Sequence, residues 1–341
     1  MSTGLAAQRY DVTELPFIPF SNTGGEALNN NGVIAGGIAN ADGSISLAQW
    51  SKGVLTDLGV PPGLPNSEFN KPRVFGMNNA GTIVGTVHTS AGELPSRWFI
   101  HDGGRFTVLP LADATDRGGA AIGINDRGQV VGYNRTSSNR LRGWLWSAGA
   151  YSRLPVPGTN TAALGINASG TIIGNRSFRF MRRVLTGRLG YRGERGYVLS
   201  HGTPQYLTGF VYAINDAGEA AGGSTANGKP RATVFKNGRA TVILGLPSYA
   251  VGINSSALVV GYYHAAGPNR RHLFAWSAHA GAFDLTPEGY ASAEAAAVND
   301  RGDVLGFGET VSGENKYFLL RPDPGGALAP KALTTEAALG R

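Results

Sequence analysis

The chain reads as an all-β protein, a seven-bladed β-propeller with four-stranded blades, and three observations carry that reading. A phrase of the form apolar-Asn-x-x-Gly-x-Val/Ile-x-Gly recurs in seven near-copies. Its spacing is regular, since Asn29 to Asn299 is 270 residues in six steps, a mean period of 45. Two further strand-like segments follow six of the seven copies before the next begins. A repeat so regular forms a stack or ring of like units, and a period of about 40–45 with several short strands suits a propeller blade.

The copies span 27–36, 76–85, 123–132, 165–174, 213–222, 252–261 and 297–306. Asn at the first position and Gly at the fourth are type I β-turn preferences, with the Asn side chain capping the local backbone. The Gly is expected to take positive φ as the chain re-enters a strand, so each copy is a hairpin. The sixth copy carries Ala257 instead, and its turn is expected to be distorted or strained.

Third strands are expected at 47–50, 97–100, 143–146, 196–199, 232–235, 273–276 and 317–320. Aromatic residues recur in them, as an outer strand with room for bulk would allow. The residues before each motif Asn are small, as a crowded strand near a ring axis requires. Fourth strands are expected at 54–58, 106–109, 151–154, 205–207, 240–244 and 282–285. The seventh copy has none, because Arg321-Pro322-Asp323-Pro324-Gly325-Gly326 breaks a strand. Tyr10 to Pro16 matches Tyr151 to Pro155 in type. The N-terminal strand is therefore expected to complete the seventh blade and close the ring, which removes exposed sheet edges. Residues 1–323 make one propeller domain. The Gly-, Ala- and Pro-rich segment 324–341 is a tail, expected to be loose apart from a helical turn or two over Thr334 to Leu339.

The run Gly123-Ile124-Asn125-Asp126-Arg127-Gly128-Gln129-Val130-Val131-Gly132, then an aromatic strand, then Gly-x-x-x-x-Leu, resembles the HAF repeat family of bacterial proteins over residues 10–320. That resemblance implies a repeat architecture and no family-wide activity, so it transfers no catalytic residue. It also implies an extracellular setting in many members. Met1 to Gln8 lacks the basic start and apolar run of a signal peptide, which makes the cytoplasm the default expectation.

Composition narrows the chemistry. The chain has no cysteine, which excludes disulfides, thiolate catalysis and cysteine-based zinc sites. No stretch is long and apolar enough to span a membrane, so no membrane partner is expected. There is no His-x-x-x-His, EF-hand loop, phosphate-binding glycine loop or Gly-x-Ser-x-Gly elbow, and no metal or cofactor is expected. The net charge of +7 leans toward anionic partners. Seven arginines lie in the insertion 176–195, opposed only by Glu194 and interleaved with Phe178, Phe180 and Tyr191. This loop of the fourth blade reads either as a solvated insertion or as an arm that binds an anion through Arg179, Arg182 and Arg183.

Propeller topology puts the loops joining strands two and three, and those joining blades, on the face opposite the Asn turns. Five residues before each motif Asn stand Gly24, Arg73, Ala120, Ala162, Phe210, Tyr249 and Glu294. Arg73, Phe210, Tyr249 and Glu294 are expected to converge on one ligand at the channel mouth. His88 lies in the second blade's loop, and Tyr262, Tyr263, His264 and His272 in the sixth's. His264, Glu294, Tyr249 and His88 are the candidate acid–base residues, since His titrates near neutrality and Tyr can stabilise a developing oxyanion. Arg73, Phe210 and Tyr262, with the arginines of the arm, are the candidate binding residues. His101, His201 and His279 fall on the opposite face.

Three function classes follow, because the fold itself is function-neutral. First is a binding propeller for a small anionic molecule or glycan. Second is a metal-independent lyase, cyclase or isomerase at the same mouth. Third is a scaffold or nucleic-acid binder using the arginine arm, with affinity that falls steeply with salt. The sequence specifies no oligomeric state.

Overall fold

The computed structural model describes residues 9–17, 26–62, 72–87, 96–158, 160–177, 195–226, 228–265 and 270–333. These residues form 29 strands and no helix. The fold is an all-β propeller of seven antiparallel, four-stranded blades. By packing, the chain divides into two compact units, Phe20–Tyr206 and Met1–Pro19 with Leu207–Arg341.

Strand β1 (Tyr10–Leu15) opens the chain. The unit Phe20–Tyr206 then holds four blades. They are β2 (Ala27–Leu28), β3 (Ile34–Ala39), β4 (Ile45–Ser51) and β5 (Val54–Gly59); β6 (Pro72–Met77), β7 (Ile83–Val87), β8 (Arg97–Asp102) and β9 (Arg105–Val108); β10 (Gly119–Ile124), β11 (Val130–Arg135), β12 (Leu141–Ser147) and β13 (Ala150–Arg153); and β14 (Asn160–Ile166), β15 (Ile172–Ser177), β16 (Arg195–Ser200) and β17 (Thr203–Tyr206). The other unit holds blades five to seven. They are β18 (Phe210–Ile214), β19 (Ala220–Ala226), β20 (Lys229–Lys236) and β21 (Arg239–Val242); β22 (Ser248–Ile253), β23 (Val259–His264), β24 (Arg271–Ser277) and β25 (Gly281–Asp284); and β26 (Tyr290–Val298), β27 (Val304–Thr310) and β28 (Asn315–Pro322), with β1 as the fourth strand. A short β29 (Lys331–Ala332) adds a fifth strand to blade six.

The motif Asn builds more than its own turn. In all seven copies the amide of the fourth residue donates to the Asn carbonyl at 3.0 Å. That fourth residue has φ between 58° and 88°. Each Asn Oδ1 also accepts the amide four residues on, at 2.9–3.0 Å. The side-chain amide then reaches the neighbouring blade. Asn29 Nδ2 donates to the Asn78 carbonyl at 3.1 Å, Asn78 to Asn125 at 3.2 Å and Asn125 to Asn167 at 3.0 Å. In the other unit Asn215 donates to the Asn254 carbonyl at 3.0 Å, and Asn254 to Asn299 at 2.9 Å. The local cap read from the sequence is therefore also a blade-to-blade link. The seven side chains are only 2–6% exposed, where each satisfied polar group counts most.

Two features of the motif follow from packing. Inner strands of adjacent blades lie close: a Cβ on Gly123 would meet Gly165 Cα at 3.2 Å, which explains the small residues before each Asn. The closing Gly of the motif faces an aromatic ring of the third strand in five blades, in the pairs Gly85–Phe99, Gly132–Trp144, Gly174–Tyr197, Gly261–Phe274 and Gly306–Phe318. A Cβ there would collide with that ring. The third-strand aromatics were expected to sit in roomy outer positions, but these rings are buried, and they fill the space the glycines vacate. Ala257 keeps the common turn geometry at φ 58°, so that turn is strained and not distorted.

Strand β1 pairs with β28 from Tyr10↔Pro322 to Leu15↔Tyr317 and completes the seventh blade. This pairing carries β28 on through Arg321 and Pro322, which the sequence read as a breaker. The loose tail expected from Pro324 is also corrected as far as Leu333. Leu328 is buried and exchanges two backbone hydrogen bonds with Tyr10, at 2.9 and 3.0 Å, and β29 pairs with β25. Thr334 to Leu339 lie outside the described residues.

Two outcomes are expected. Deleting residues 1–16 exposes β28 and removes buried Tyr10 and Leu15, at a cost of about 3–5 kcal/mol in urea unfolding; an unchanged midpoint would contradict the role given to β1. Ala257→Gly relieves the positive-φ strain and raises stability by about 1 kcal/mol in the same assay.

Candidate functional site

In the unit Met1–Pro19 with Leu207–Arg341, each inner strand runs toward its Asn turn. Phe210, Tyr249 and Glu294 therefore stand together at the far ends of their strands. Tyr249 faces Tyr262 across β22 and β23, and His264 faces Arg271 across β23 and β24. Side chains two apart on a strand share a face, so Tyr262 and His264 lie side by side. The rings form a run. Phe210 and Tyr249 have centroids 5.8 Å apart, Tyr249 stacks on Tyr262 at 5.1 Å, and His264 meets Tyr262 edge-on at 5.9 Å.

Arg271 ties this run to blade seven. Its guanidinium carbon lies 5.3 Å from the Tyr262 ring centroid, a cation–π distance. Its Nη1 donates to both carboxylate oxygens of Glu294, at 3.1 and 3.2 Å. The pair is partly buried, with side chains 28% and 19% exposed, so it is only weakly screened. Burial, reinforced by the positive charge of Arg271, holds His264 below the ordinary imidazole value, and Glu294 offsets this only in part. His264 is thus a neutral imidazole at pH 7, able to donate through one ring nitrogen and accept through the other.

The pleat separates residues that the sequence had grouped. Tyr263 and His272 project from the opposite face of blade six. The Tyr263 hydroxyl donates to Asp284 Oδ2 at 2.9 Å, and His272 Nδ1 lies 3.0 Å from the same oxygen. Burial pushes the Asp284 carboxyl up, but hydrogen bonds from His272, Thr286 and Tyr263 outweigh it and leave the group below the usual carboxylate range.

The structure thus brings together Phe210, Tyr249, Tyr262, His264 and Glu294. Arg73 belongs to the other unit, where it pairs with Thr86 on β6 and β7. His88, Arg179, Arg182 and Arg183 lie outside the described residues. Sequence reasoning missed Arg271, which joins the aromatic run to the acid. Its signal was its place at the start of a third strand, directly across the loop from His264. Among the described residues no group of three or more acidic or histidine side chains is placed to hold a metal ion, and no helix is long and apolar enough to cross a membrane.

No family model matches the chain, and no curated protein matches it in sequence. Solved structures do resemble it. The β-propeller domain of the Trilobed protease from Pyrococcus furiosus superposes with a TM-score of 0.57 at 8% identity, over 96% of this chain and 99% of that one. A puromycin-hydrolyzing peptidase of Mycobacterium tuberculosis gives 0.56 at 13% identity, over 92% of this chain and 51% of that one. The acylaminoacyl peptidase of Pyrococcus horikoshii gives 0.54 at 10% identity, over 89% and 52%. The chain spans about half the length of these two peptidases. At such identities the likeness establishes the fold, and the protein is a generic seven-bladed propeller.

A pH signature follows from His264. Its folded value lies below the ordinary imidazole value, so the stability it contributes is present above that ordinary value and lost as pH falls through the lowered one. Buried His101, lowered chiefly by burial, acts in the same direction. Urea unfolding is expected to need less denaturant at pH 5 than at pH 7, and His264→Gln to remove part of that difference. An identical pH dependence in the variant would contradict this account of His264.

Proposed function

We propose that the protein is a ligand-binding propeller that holds a glycan against the Phe210–Tyr249–Tyr262–His264 run. The supporting observation is the pairing of the half-buried Phe210, Tyr249 and His264 rings, backed by buried Tyr262, with a neutralised Arg271–Glu294 pair at their edge. Sugars offer apolar C–H faces to aromatic rings and hydroxyls to paired donors and acceptors. Arg271 supplies donors, Glu294 acceptors, and the neutral His264 one of each. Because the charges cancel, the array suits a neutral sugar better than an anion. The resemblance to the HAF repeat family fits a scaffold with specificity placed in its variable loops.

A second reading draws on one observation, the neutral imidazole of His264 beside Arg271. It makes the protein a metal-independent lyase, cyclase or isomerase with His264 as base. Glu294 then positions Arg271, since its carboxylate is committed to that pair.

An array of neutral oligosaccharides, probed with the full chain, tests both. Tyr249→Ala and Arg271→Ala are each expected to weaken binding by at least about ten-fold, or 1.4 kcal/mol, while Arg239→Ala on β21 leaves it unchanged. Equal binding by all three variants contradicts the site. A sugar consumed by the parent, and bound but not consumed by His264→Gln, establishes the enzyme reading.

A further inference from the structure

In the unit Phe20–Tyr206, we propose that Arg73, Thr86 and Tyr133 form a subsite for a carboxylate-bearing small molecule. Arg73 on β6 and Thr86 on β7 are direct cross-strand partners, so their side chains share one face of blade two. Thr86 is fully buried, and among the described residues its hydroxyl has no hydrogen-bond partner. The Nε of Arg73 is buried beside it and has none either. Two orphaned polar atoms on neighbouring residues are costly unless a ligand satisfies them.

The charge makes the point sharper. Burial presses against the Arg73 cation, and the ionisable group that acts on it is the phenol of Tyr133, not a carboxylate. Burial in turn pushes the Tyr133 phenol up, so it stays protonated and able to donate. Three other arginines have partners. Arg271 has Glu294, Arg301 has Asp303, and Arg176 donates to the Pro157 carbonyl and lies over the Tyr206 ring. Among the described residues Arg73 has no acid, so the counter-ion is left for a ligand to bring. The class of anion follows from the edge left open. Nε together with one Nη presents two parallel N–H groups, which match the two oxygens of a planar carboxylate. The Thr86 and Tyr133 hydroxyls can donate to the same oxygens.

Acetate labelled with carbon-13 at the carboxyl tests this on the full chain, with the linewidth of its resonance read during titration. Saturable broadening is expected with the parent protein. Arg73→Gln should abolish it, Arg73→Lys should weaken it about ten-fold by losing the fork, and Thr86→Val should weaken it several-fold. Arg153→Ala, at an exposed position on β13 of the same unit, should leave it unchanged. If Arg73→Gln does not fold, the isosteric Thr86→Val and the charge-preserving Arg73→Lys carry the test. Equal broadening across parent and variants, or broadening that never saturates, overturns the proposal. Saturable binding of inorganic phosphate without any response to acetate overturns the carboxylate assignment.

Discussion

A buried asparagine amide, shared between one blade's turn and the backbone of the next, is the interaction on which this structure depends. The side chain has one acceptor and one donor end, and the motif uses both. The oxygen closes the turn, and the nitrogen leaves it for the neighbour's carbonyl. Aspartate could make the turn but has no donor for the link, and serine is too short to do both. Because the group is almost fully buried, losing one end leaves a desolvated partner behind, a penalty of about 1–3 kcal/mol per site. The remaining motif positions serve this arrangement. A positive φ at the fourth residue turns the chain, and glycine at the last leaves room for the third-strand ring.

Fixing one end of every blade frees the other. The residues five before each Asn lie at the strand end farthest from the link, and they vary in type among the described blades: Arg73, Ala120, Ala162, Phe210, Tyr249 and Glu294. The frame constrains their backbone and leaves their chemistry open. In one unit these positions assemble an aromatic run edged by a neutralised ion pair. In the other, Arg73 has no acid partner among the described residues. A single scaffold rule thus yields two chemically distinct settings.

The architecture was legible because it depends on a period. Strand boundaries fell within three residues of those read from the repeats, and the pairing of Tyr10 to Leu15 with β28 followed from a unit lacking its last strand. Contacts between repeats were less visible. Nothing in the phrase Asn-x-x-Gly shows that its nitrogen leaves the turn, and the buried third-strand aromatics could not be told from exposed ones without their glycine partners. At the candidate site, the structure brings together Phe210, Tyr249, Tyr262, His264 and Glu294, all of which the sequence had singled out. The division between faces was not. Tyr262 and Tyr263 are neighbours in sequence, and only the strand pleat assigns them to opposite sides. Arg271 was overlooked for a different reason, since its partnership with Glu294 crosses from one blade to the next.

The most direct test of the account is hydrogen exchange, read by mass spectrometry, on Asn125→Ala. If the side chain links blades, exchange quickens within 125–132 and also in the neighbouring turn at 167–174, whose carbonyl at Asn167 has lost its donor. If the change stays confined to 125–132, the asparagine is only a local cap, and the frame must be held together by something else.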